Sequence, residues 1–313
     1  MLQWLGRKKR VEGLVGLSVN DTRISLAHVT RRRDDIYLEQ CVQHPLDGVG
    51  ARDGLARLVD ELGLAGADAN CLLVPSDYSI FLVEKPQVEE DEVRAAIRWK
   101  VKDLLDMPVE DAIIDVFHLP EDAFQGRKQM ICAVVADKSK LEQKIELINR
   151  AGLSLSSIDV PEMAMRNIVS EFGDDSNGLA FISLKQSGSV MNITRGGQLY
   201  LSRKINTPVG PDALMESDWD MIRDRLALEI QRSLDYYESQ MGQDPVSQIM
   251  IAPRQKDTES MMNSLADALA SPVGMLDFYH DFESPESITG YTKGACMMVI
   301  GASLRTDDGG GAG

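Results

Sequence analysis

The sequence predicts an α/β protein of two similar lobes, because one order of strands and helices occurs twice along the chain. In each copy, three short strands that alternate apolar and polar residues precede a helix and a further apolar strand. Between the copies lies a segment that has no counterpart in the second half. With 313 residues, 43% of them hydrophobic, the chain is long enough for each lobe to bury a core.

The first copy starts close to the N-terminus. Its predicted elements are strands at 13–19, 22–30 and 35–43, a helix at 50–63 and a strand at 71–75. A tight turn at Asn20-Asp21 joins the first two strands. Ile36, Leu38 and Val42 alternate with polar neighbours, which is typical of a half-buried strand.

The second copy starts after residue 178. Its predicted elements are strands at 179–184, 189–195 and 198–205, a helix at 217–241, a strand at 248–252, a helix at 257–270 and a strand at 274–278. Three antiparallel strands, a helix and a further strand make a ribonuclease-H-like unit. The sequence therefore predicts this unit in duplicate.

The segment between the copies predicts a small α+β subdomain inserted in the first lobe. Its predicted elements are a helix at 88–105, strands at 111–119 and 128–136, and a helix at 138–150 with a cap at Asp137 or Ser139. The predicted division is a flexible basic N-terminus (1–10), the first lobe (11–80 and 156–176), the insertion (81–155), the second lobe (177–305) and a disordered tail (306–313).

Composition narrows the function classes. The formal net charge of −16 argues against nucleic acid as a partner, because phosphate binding needs a basic surface. The four cysteines and four histidines show no ligand spacing, so no metal site is predicted. No apolar run is long enough to span a bilayer, and the N-terminus lacks the order of a signal peptide, so a cytoplasmic location is predicted. The basic segment 1–10 either touches an anionic membrane surface or is a flexible tail, and its shortness favours the tail.

Three stretches carry a resemblance to a known family: "VPSDYSIFLVEKP" with the following "EDEVRAAIRWKVKDLLDMPVEDAIIDV", then "LALEIQRSLDYYESQ", and "GACMMVIGASLR". Together with the duplicated unit and its insertion, they resemble the actin-like ATPase superfamily, specifically the PilM branch, over nearly the whole chain. The similarity points most closely to members that serve the mannose-sensitive haemagglutinin (MSHA) pilus, and the cytoplasmic domain of GspL is a more distant relative. The resemblance implies an actin-like two-lobed fold and a role in type IV pilus assembly at the cytoplasmic side of the inner membrane.

Relatives in this superfamily hold nucleotide with three loops, and all three differ here. The family pattern Asp-Ile-Gly-Ser-Ser-Ser is matched by Ser18–Arg23, Asp-Ile-Gly by Ser183–Lys185, and Gly-Gly-Gly by Ala252–Gln255. Both metal-orienting carboxylates are thereby lost, and Pro253 stiffens the third loop. Because phosphoryl transfer depends on a positioned metal, the resemblance implies a pseudo-ATPase without catalytic residues.

Seven residues are the candidates for this degenerate nucleotide cleft: Asn20, Asp21, Thr22, Lys185, Gln186, Glu229 and Arg232. Asp21 and Lys185 either replace the missing metal and phosphate contacts or are solvated turn residues, and turn preferences favour the second alternative. Glu229 and Arg232 either contact a nucleoside or form an ion pair on the helix surface. Nucleotide binding without hydrolysis stays open as an alternative to an empty cleft, and no cofactor is assigned.

The resemblance also implies a groove between the first lobe and the insertion that receives the N-terminal peptide of a PilN-like bitopic partner. The candidate contact residues are Tyr78, Ile80, Leu82, Arg98, Trp99 and Lys102. The first three either line the groove or belong to the core, and Trp99 either anchors the partner or covers the insertion's sheet. Arg98 and Lys102 either hold the peptide or are solvated, and reversing both charges is expected to weaken peptide binding without unfolding.

Three function classes compete. The favoured one is a non-enzymatic assembly scaffold that binds a PilN-like protein and an assembly ATPase. The alternatives are a nucleotide-binding or slowly hydrolysing actin-like ATPase of pilus or type II secretion assembly, and a sugar-kinase-like enzyme. The altered loops argue against both enzymes.

Overall fold

The computed structural model describes residues 11–33, 35–126, 129–186, 188–254, 258–276, 278 and 283–306. The predicted basic N-terminus and all but the first residue of the predicted tail lie outside these ranges. The described residues form two five-stranded sheets and one three-stranded sheet. No helix among them is both long and apolar enough to cross a membrane.

The first lobe is built on a sheet in the order β3-β2-β1-β4-β8. Its strands are β1 (Leu14–Val19), β2 (Arg23–Arg32), β3 (Asp35–Pro45), β4 (Asp68–Leu72) and β8 (Ser154–Asp159). The first three pair antiparallel, and β4 and β8 run parallel to β1. Helix α1 (Ala51–Glu61) packs Leu55, Leu58 and Val59 into the core of this lobe.

The second lobe repeats this arrangement in the order β11-β10-β9-β12-β13. Its strands are β9 (Leu179–Ser183), β10 (Ser189–Arg195), β11 (Gln198–Ile205), β12 (Gln248–Ile251) and β13 (Val273–Met275). Its helices are α5 (Trp219–Ser239) and α6 (Thr258–Ala266). The equal strand order in both lobes confirms the predicted duplicated unit.

The insertion contains a three-stranded antiparallel sheet in the order β5-β7-β6. Its elements are β5 (Tyr78–Glu84), α2 (Val93–Val101), β6 (Ala112–His118) and β7 (Met130–Asp137). Helix α2 is shorter than the predicted helix 88–105, because 3-10 turns at Glu90–Glu92 and Lys102–Leu104 flank it.

The boundaries of the insertion differ from the predicted 81–155. Residue 81 falls inside β5, whose side chains alternate between two packed faces, so the strand cannot be divided there. At the other end, α3 (Lys138–Arg150) returns to the first lobe. Ile148 and the following Ala151 and Leu153 are buried in the core of the first lobe, which makes α3 part of that lobe.

Two helices cross between the lobes, α4 (Pro161–Phe172) and α8 (Met297–Ser303), the latter preceded by α7 (Gly290–Ala295). The carboxamide of Asn167 donates a hydrogen bond of 2.9 Å to the carbonyl of Gly301. A Cβ added at Gly301 would lie 2.3 Å from the carbonyl oxygen of Ala164, so the two backbones meet where only glycine fits. This crossing holds the lobes together at the centre of the molecule.

A second connection joins the insertion to the second lobe, and we call residues 119–126 the bridge segment. Ala123 and Phe124 are buried in the core of the second lobe. The hydroxyl of Tyr200 donates to both carboxylate oxygens of Asp122, at 2.9 and 3.1 Å, and the amide of Gln125 donates to the carbonyl of Met241 at 3.0 Å. The insertion therefore contacts both lobes.

Candidate functional site

A pocket of about 720 Å³ opens where three parts of the molecule meet. Its walls are the end of β6 with the bridge segment, helix α4, and the turn between β10 and β11. Apolar side chains form much of the lining, including Phe117, Met163, Leu199 and Leu304. Polar groups stand among them, notably Arg166 and Ser170. A concave site with a few convergent polar groups is typical of ligand pockets.

The pocket lies on one face of the insertion's sheet. Leu82 is opposite Cys132, and Cys132 is opposite Phe117, so the side chains of Leu82 and Phe117 lie on the same face. Tyr78 and Ile80 share this face because they alternate with Leu82 along β5. These three predicted partner residues therefore lie on the face that leads to the pocket.

The other three predicted partner residues lie across the sheet. Helix α2 covers the opposite face, where its Val93, Ile97 and Val101 pack with the β5 side chains Phe81 and Val83. Arg98, Trp99 and Lys102 belong to this region, so the structure does not bring them together with Tyr78, Ile80 and Leu82 in one groove.

Individual contacts show what several of these residues do. Arg98 donates hydrogen bonds to the carbonyls of Val109 and Ala112, the second at 3.2 Å, so its charge is used within the insertion. Reversing that charge is therefore expected to destabilise the insertion, contrary to the sequence-based expectation. Trp99 is 72% exposed, with the ammonium of Lys102 5.6 Å from its ring centroid.

Tyr78 and Ile80 are largely structural, because both pack against the buried cluster that includes Leu73 and Val160. The hydroxyl of Tyr78 also donates a 2.7 Å hydrogen bond to the carboxylate of Glu162. Leu82 differs from both, since it is 38% exposed on the same face of the sheet.

Glu162 is buried at the start of α4, where the insertion meets the lobes. Burial raises the pKa of its carboxyl, the charge of Asp159 adds to this, and the hydrogen bond from Tyr78 opposes it. The raised pKa means that the protonated form of Glu162 stabilises the folded protein. This stabilisation is fully present at a pH below 4.5, the ordinary pKa of the group, and is lost as the pH rises through the higher pKa of the folded state.

The Glu162→Gln variant removes this titration while keeping an acceptor for Tyr78. We expect its free energy of unfolding, relative to that of the unchanged protein, to increase as the pH rises. Urea unfolding of both proteins at about pH 5 and about pH 8 measures this difference. A difference that stays constant with pH would contradict the role assigned to burial.

Sequence analysis predicted none of the residues that line the pocket, and Arg166 is the arginine among them. It is half-buried on α4, and its guanidinium donates a 2.9 Å hydrogen bond to the carboxamide of Asn167. Loss of solvent lowers its pKa, with nearby Asp159 opposing this effect and Arg305 adding to it. The available signal was a single arginine, followed by an asparagine, in the middle of the mostly apolar helical stretch "MAMRNIV".

The predicted nucleotide-cleft residues are engaged locally. The carboxamide oxygen of Asn20 accepts hydrogen bonds from the amide of Thr22 (3.0 Å), its hydroxyl (3.0 Å) and the amide of Arg23 (2.9 Å), which closes the β1–β2 turn. Glu229 accepts from the amide of Asn206 at 2.8 Å and from the hydroxyl of Thr207 at 2.5 Å. Within the described part of the chain no ion pair joins Glu229 to the exposed Arg232.

The second hairpin turn, between β9 and β10, carries Lys185 and Gln186. Both keep exposed surface, yet the pKa of the Lys185 ammonium is lowered by desolvation and by the positive charge of Arg23 on the first lobe. Arg254, in the third loop, donates hydrogen bonds to the carbonyls of Leu184 and Gly210, the first at 3.2 Å. The third loop is thus tied through Arg254 to the backbone on both sides of the second hairpin turn.

These side chains do not fit a magnesium nucleotide. Asp21 is the one carboxylate in the described residues of the two hairpin turns, and it is exposed. Among the residues that the structure describes, no group of three His, Cys, Asp or Glu side chains is placed to hold a metal ion. Lys185 and Arg23 supply positive charge without an organised metal site opposite them.

Comparison with known proteins shows the fold. No protein-family model matches the chain, and no curated protein matches it. The chain is similar to the solved structure of a PilM-PilN type IV pilus biogenesis complex, with a TM-score of 0.70 and 16% identity over 95% of this chain and 98% of that one. It is also similar to the cytoplasmic domain of EpsL, an inner-membrane component of the Vibrio cholerae type II secretion system, with a TM-score of 0.51 and 10% identity over 94% and 96% of the two chains.

The chain is also similar to a third solved structure. It is a Bacteroides thetaiotaomicron protein of unknown function with an actin-like ATPase fold, with a TM-score of 0.50 and 11% identity over 85% of this chain and 91% of that one. The fold class predicted from the sequence, a two-lobed actin-like α/β fold, is therefore confirmed.

Proposed function

We propose that this chain is a non-enzymatic scaffold of a type IV pilus assembly platform that binds the N-terminal peptide of a PilN-like inner-membrane protein. The observation that carries the proposal is the likeness to a PilM-PilN complex over 95% of the chain, together with the pocket beside α4. In this proposal the chain acts at the cytoplasmic side of the inner membrane. In its finer form the proposal assigns the chain to the MshI-type members of the PilM branch, which serve the MSHA pilus, and places it in a platform that also includes an assembly ATPase.

The pocket suits an extended peptide. Its volume of about 720 Å³ lies within the roughly 300–1,000 Å³ of ordinary ligand sites. Phe117, Met163 and Leu199 offer apolar contacts, while Ser170 and Gln198 are polar groups within reach of a peptide backbone. The exposed Leu82 extends the apolar surface along the same sheet face.

Filling the pocket tests the proposal. Ser170 is exposed and lines the pocket, so Ser170→Trp occupies the space without disturbing the core. We expect it to weaken binding of the synthetic N-terminal peptide of the PilN-like protein by about tenfold or more in calorimetric titration.

The matched control is Trp99→Ala, which removes an exposed aromatic side chain from α2 across the sheet. We expect it to leave the affinity unchanged. Full binding by Ser170→Trp, or loss of binding by Trp99→Ala, would contradict this placement and would indicate that the peptide binds at α2.

The same proposal assigns no ATP hydrolysis to the cleft. Support comes from the exposed position of Asp21 and from the third loop, where Arg254 bonds the carbonyls of Leu184 and Gly210. We expect phosphate release from ATP by the pure protein to be the same with and without Mg²⁺. Magnesium-dependent release that the Asp21→Ala variant abolishes would favour the actin-like ATPase alternative instead.

A further inference from the structure

Five charged or titratable side chains line the pocket, and one of them is an arginine. They are His118, Glu121, Asp122, Arg166 and Glu171. Neighbours contact three of these: His118 lies 2.7 Å from Glu90, Glu171 pairs with Arg31, and Asp122 accepts a 2.9 Å hydrogen bond from the neutral hydroxyl of Tyr200 and keeps its negative charge. Glu121 is exposed to solvent. Arg166 remains as a half-buried cation.

Among the residues that the structure describes, no carboxylate forms an ion pair with Arg166. The nearest acid that affects its charge is Asp159, but the guanidinium of Arg305 pairs with that carboxylate at 3.0 Å. Asp159 also accepts the amide of Val160 at 2.9 Å. Two guanidiniums therefore share one carboxylate that already accepts a backbone hydrogen bond, so Arg166 lacks a full counter-charge among these three side chains.

The hydrogen bonds of Arg166 are also incomplete. A guanidinium carries five N–H donors, and the recorded bond of Arg166 within the described residues is the one to the carboxamide of Asn167. Apolar neighbours such as Met163 and Leu304 limit access of water to this group. A desolvated cation with free donors is complemented best by a carboxylate, which can accept two parallel N–H bonds.

We infer that the segment bound in this pocket presents an acidic side chain to Arg166, and that this contact fixes the register of the segment. The inference rests on the proposed function, because it concerns the occupant of the same pocket. Apolar side chains of the segment then contact Phe117, Met163 and Leu199. Arg166 is thus the specificity-determining residue, and the apolar walls supply contact area.

Variants of Arg166 test the inference with the synthetic N-terminal peptide of the PilN-like protein. Arg166→Met removes the charge at similar length, and we expect it to weaken binding by about 10- to 100-fold. Arg166→Lys keeps the charge but loses the two-bond geometry, so we expect an intermediate loss. Arg94→Met is the matched control, because Arg94 pairs with Asp115 on the insertion and does not line the pocket.

A second arm changes the peptide. Each acidic residue is replaced in turn by its amide, and we expect one replacement to weaken binding to the unchanged protein. The same replacement should cause no further loss with Arg166→Met, because the two groups act as a pair. Urea unfolding of each variant establishes that the protein is folded. If Arg166→Met is not folded, Arg166→Lys takes its place in the binding comparison.

The outcomes separate the two proposals. Unchanged affinity of the Arg166 variants, or peptide amides that bind equally well, would overturn the inference while leaving peptide binding intact. Failure of the peptide to bind the unchanged protein would overturn the proposed function, and the inference with it.

Discussion

Replacing Gly301 by alanine is expected to lower the free energy of unfolding by roughly 3 kcal/mol, the upper range for overpacking a core. The added Cβ would lie 2.3 Å from the carbonyl oxygen of Ala164 and 2.8 Å from its carbonyl carbon. Both are backbone atoms of α4, so the clash cannot be relieved by rotating a side chain. The helices must move apart, which also strains the bond from Asn167 to the carbonyl of Gly301.

Urea unfolding of the variant and the unchanged protein measures this loss, provided that the two m-values are equal. Gly50→Ala is the control, because no heavy atom lies within 4 Å of a Cβ at that position and its φ of −62° suits alanine. We expect it to cost less than about 1 kcal/mol. Equal losses in the two variants would show that the α4–α8 crossing tolerates a side chain.

Phe124→Ala is expected to destabilise the protein by about 3–5 kcal/mol, the usual cost of truncating a buried phenylalanine. Phe124 is 7% exposed in the core of the second lobe, although it belongs to the bridge segment that leaves the insertion. Because that segment forms one wall of the pocket, we also expect weaker peptide binding.

Two measurements distinguish this effect from general loosening. Amide hydrogen exchange should increase first in the bridge segment, where the amide of Gln125 loses its bond to Met241. Trp99→Ala, which removes a side chain that is 72% exposed, should change stability by no more than about 0.5 kcal/mol. Comparable losses in both variants would contradict the docking of Phe124 in the second lobe.

The duplicated unit was predictable because it depends on local patterns. Alternation along 35–43 and 198–205 specifies strands with one buried face, and such patterns survive in a single sequence. Elements of the second lobe agree with prediction to within a few residues, as α5 shows at Trp219–Ser239 against a predicted 217–241. Strand order then follows from the fold class.

The pocket was not predictable because its walls are distant in sequence. Phe117, Arg166 and Leu199 come together only after the insertion, α4 and the second lobe have packed. Helical periodicity could not show which face of the sheet α2 covers, so the alternatives for Trp99 stayed open in the sequence. It also could not show that Arg98 is bonded to the carbonyls of Val109 and Ala112.

The bridge segment has a consequence for motion. The lobes meet around α4 and α8, and residues 119–126 add a separate attachment between the insertion and the second lobe. Two lobes that share a single hinge can rotate about it freely. A second attachment away from the hinge axis restricts this rotation. A large rotation of the lobes requires that Ala123 and Phe124 leave the core of the second lobe and that the hydrogen bond from Tyr200 to Asp122 break. Such rotations therefore need local unfolding of the bridge segment.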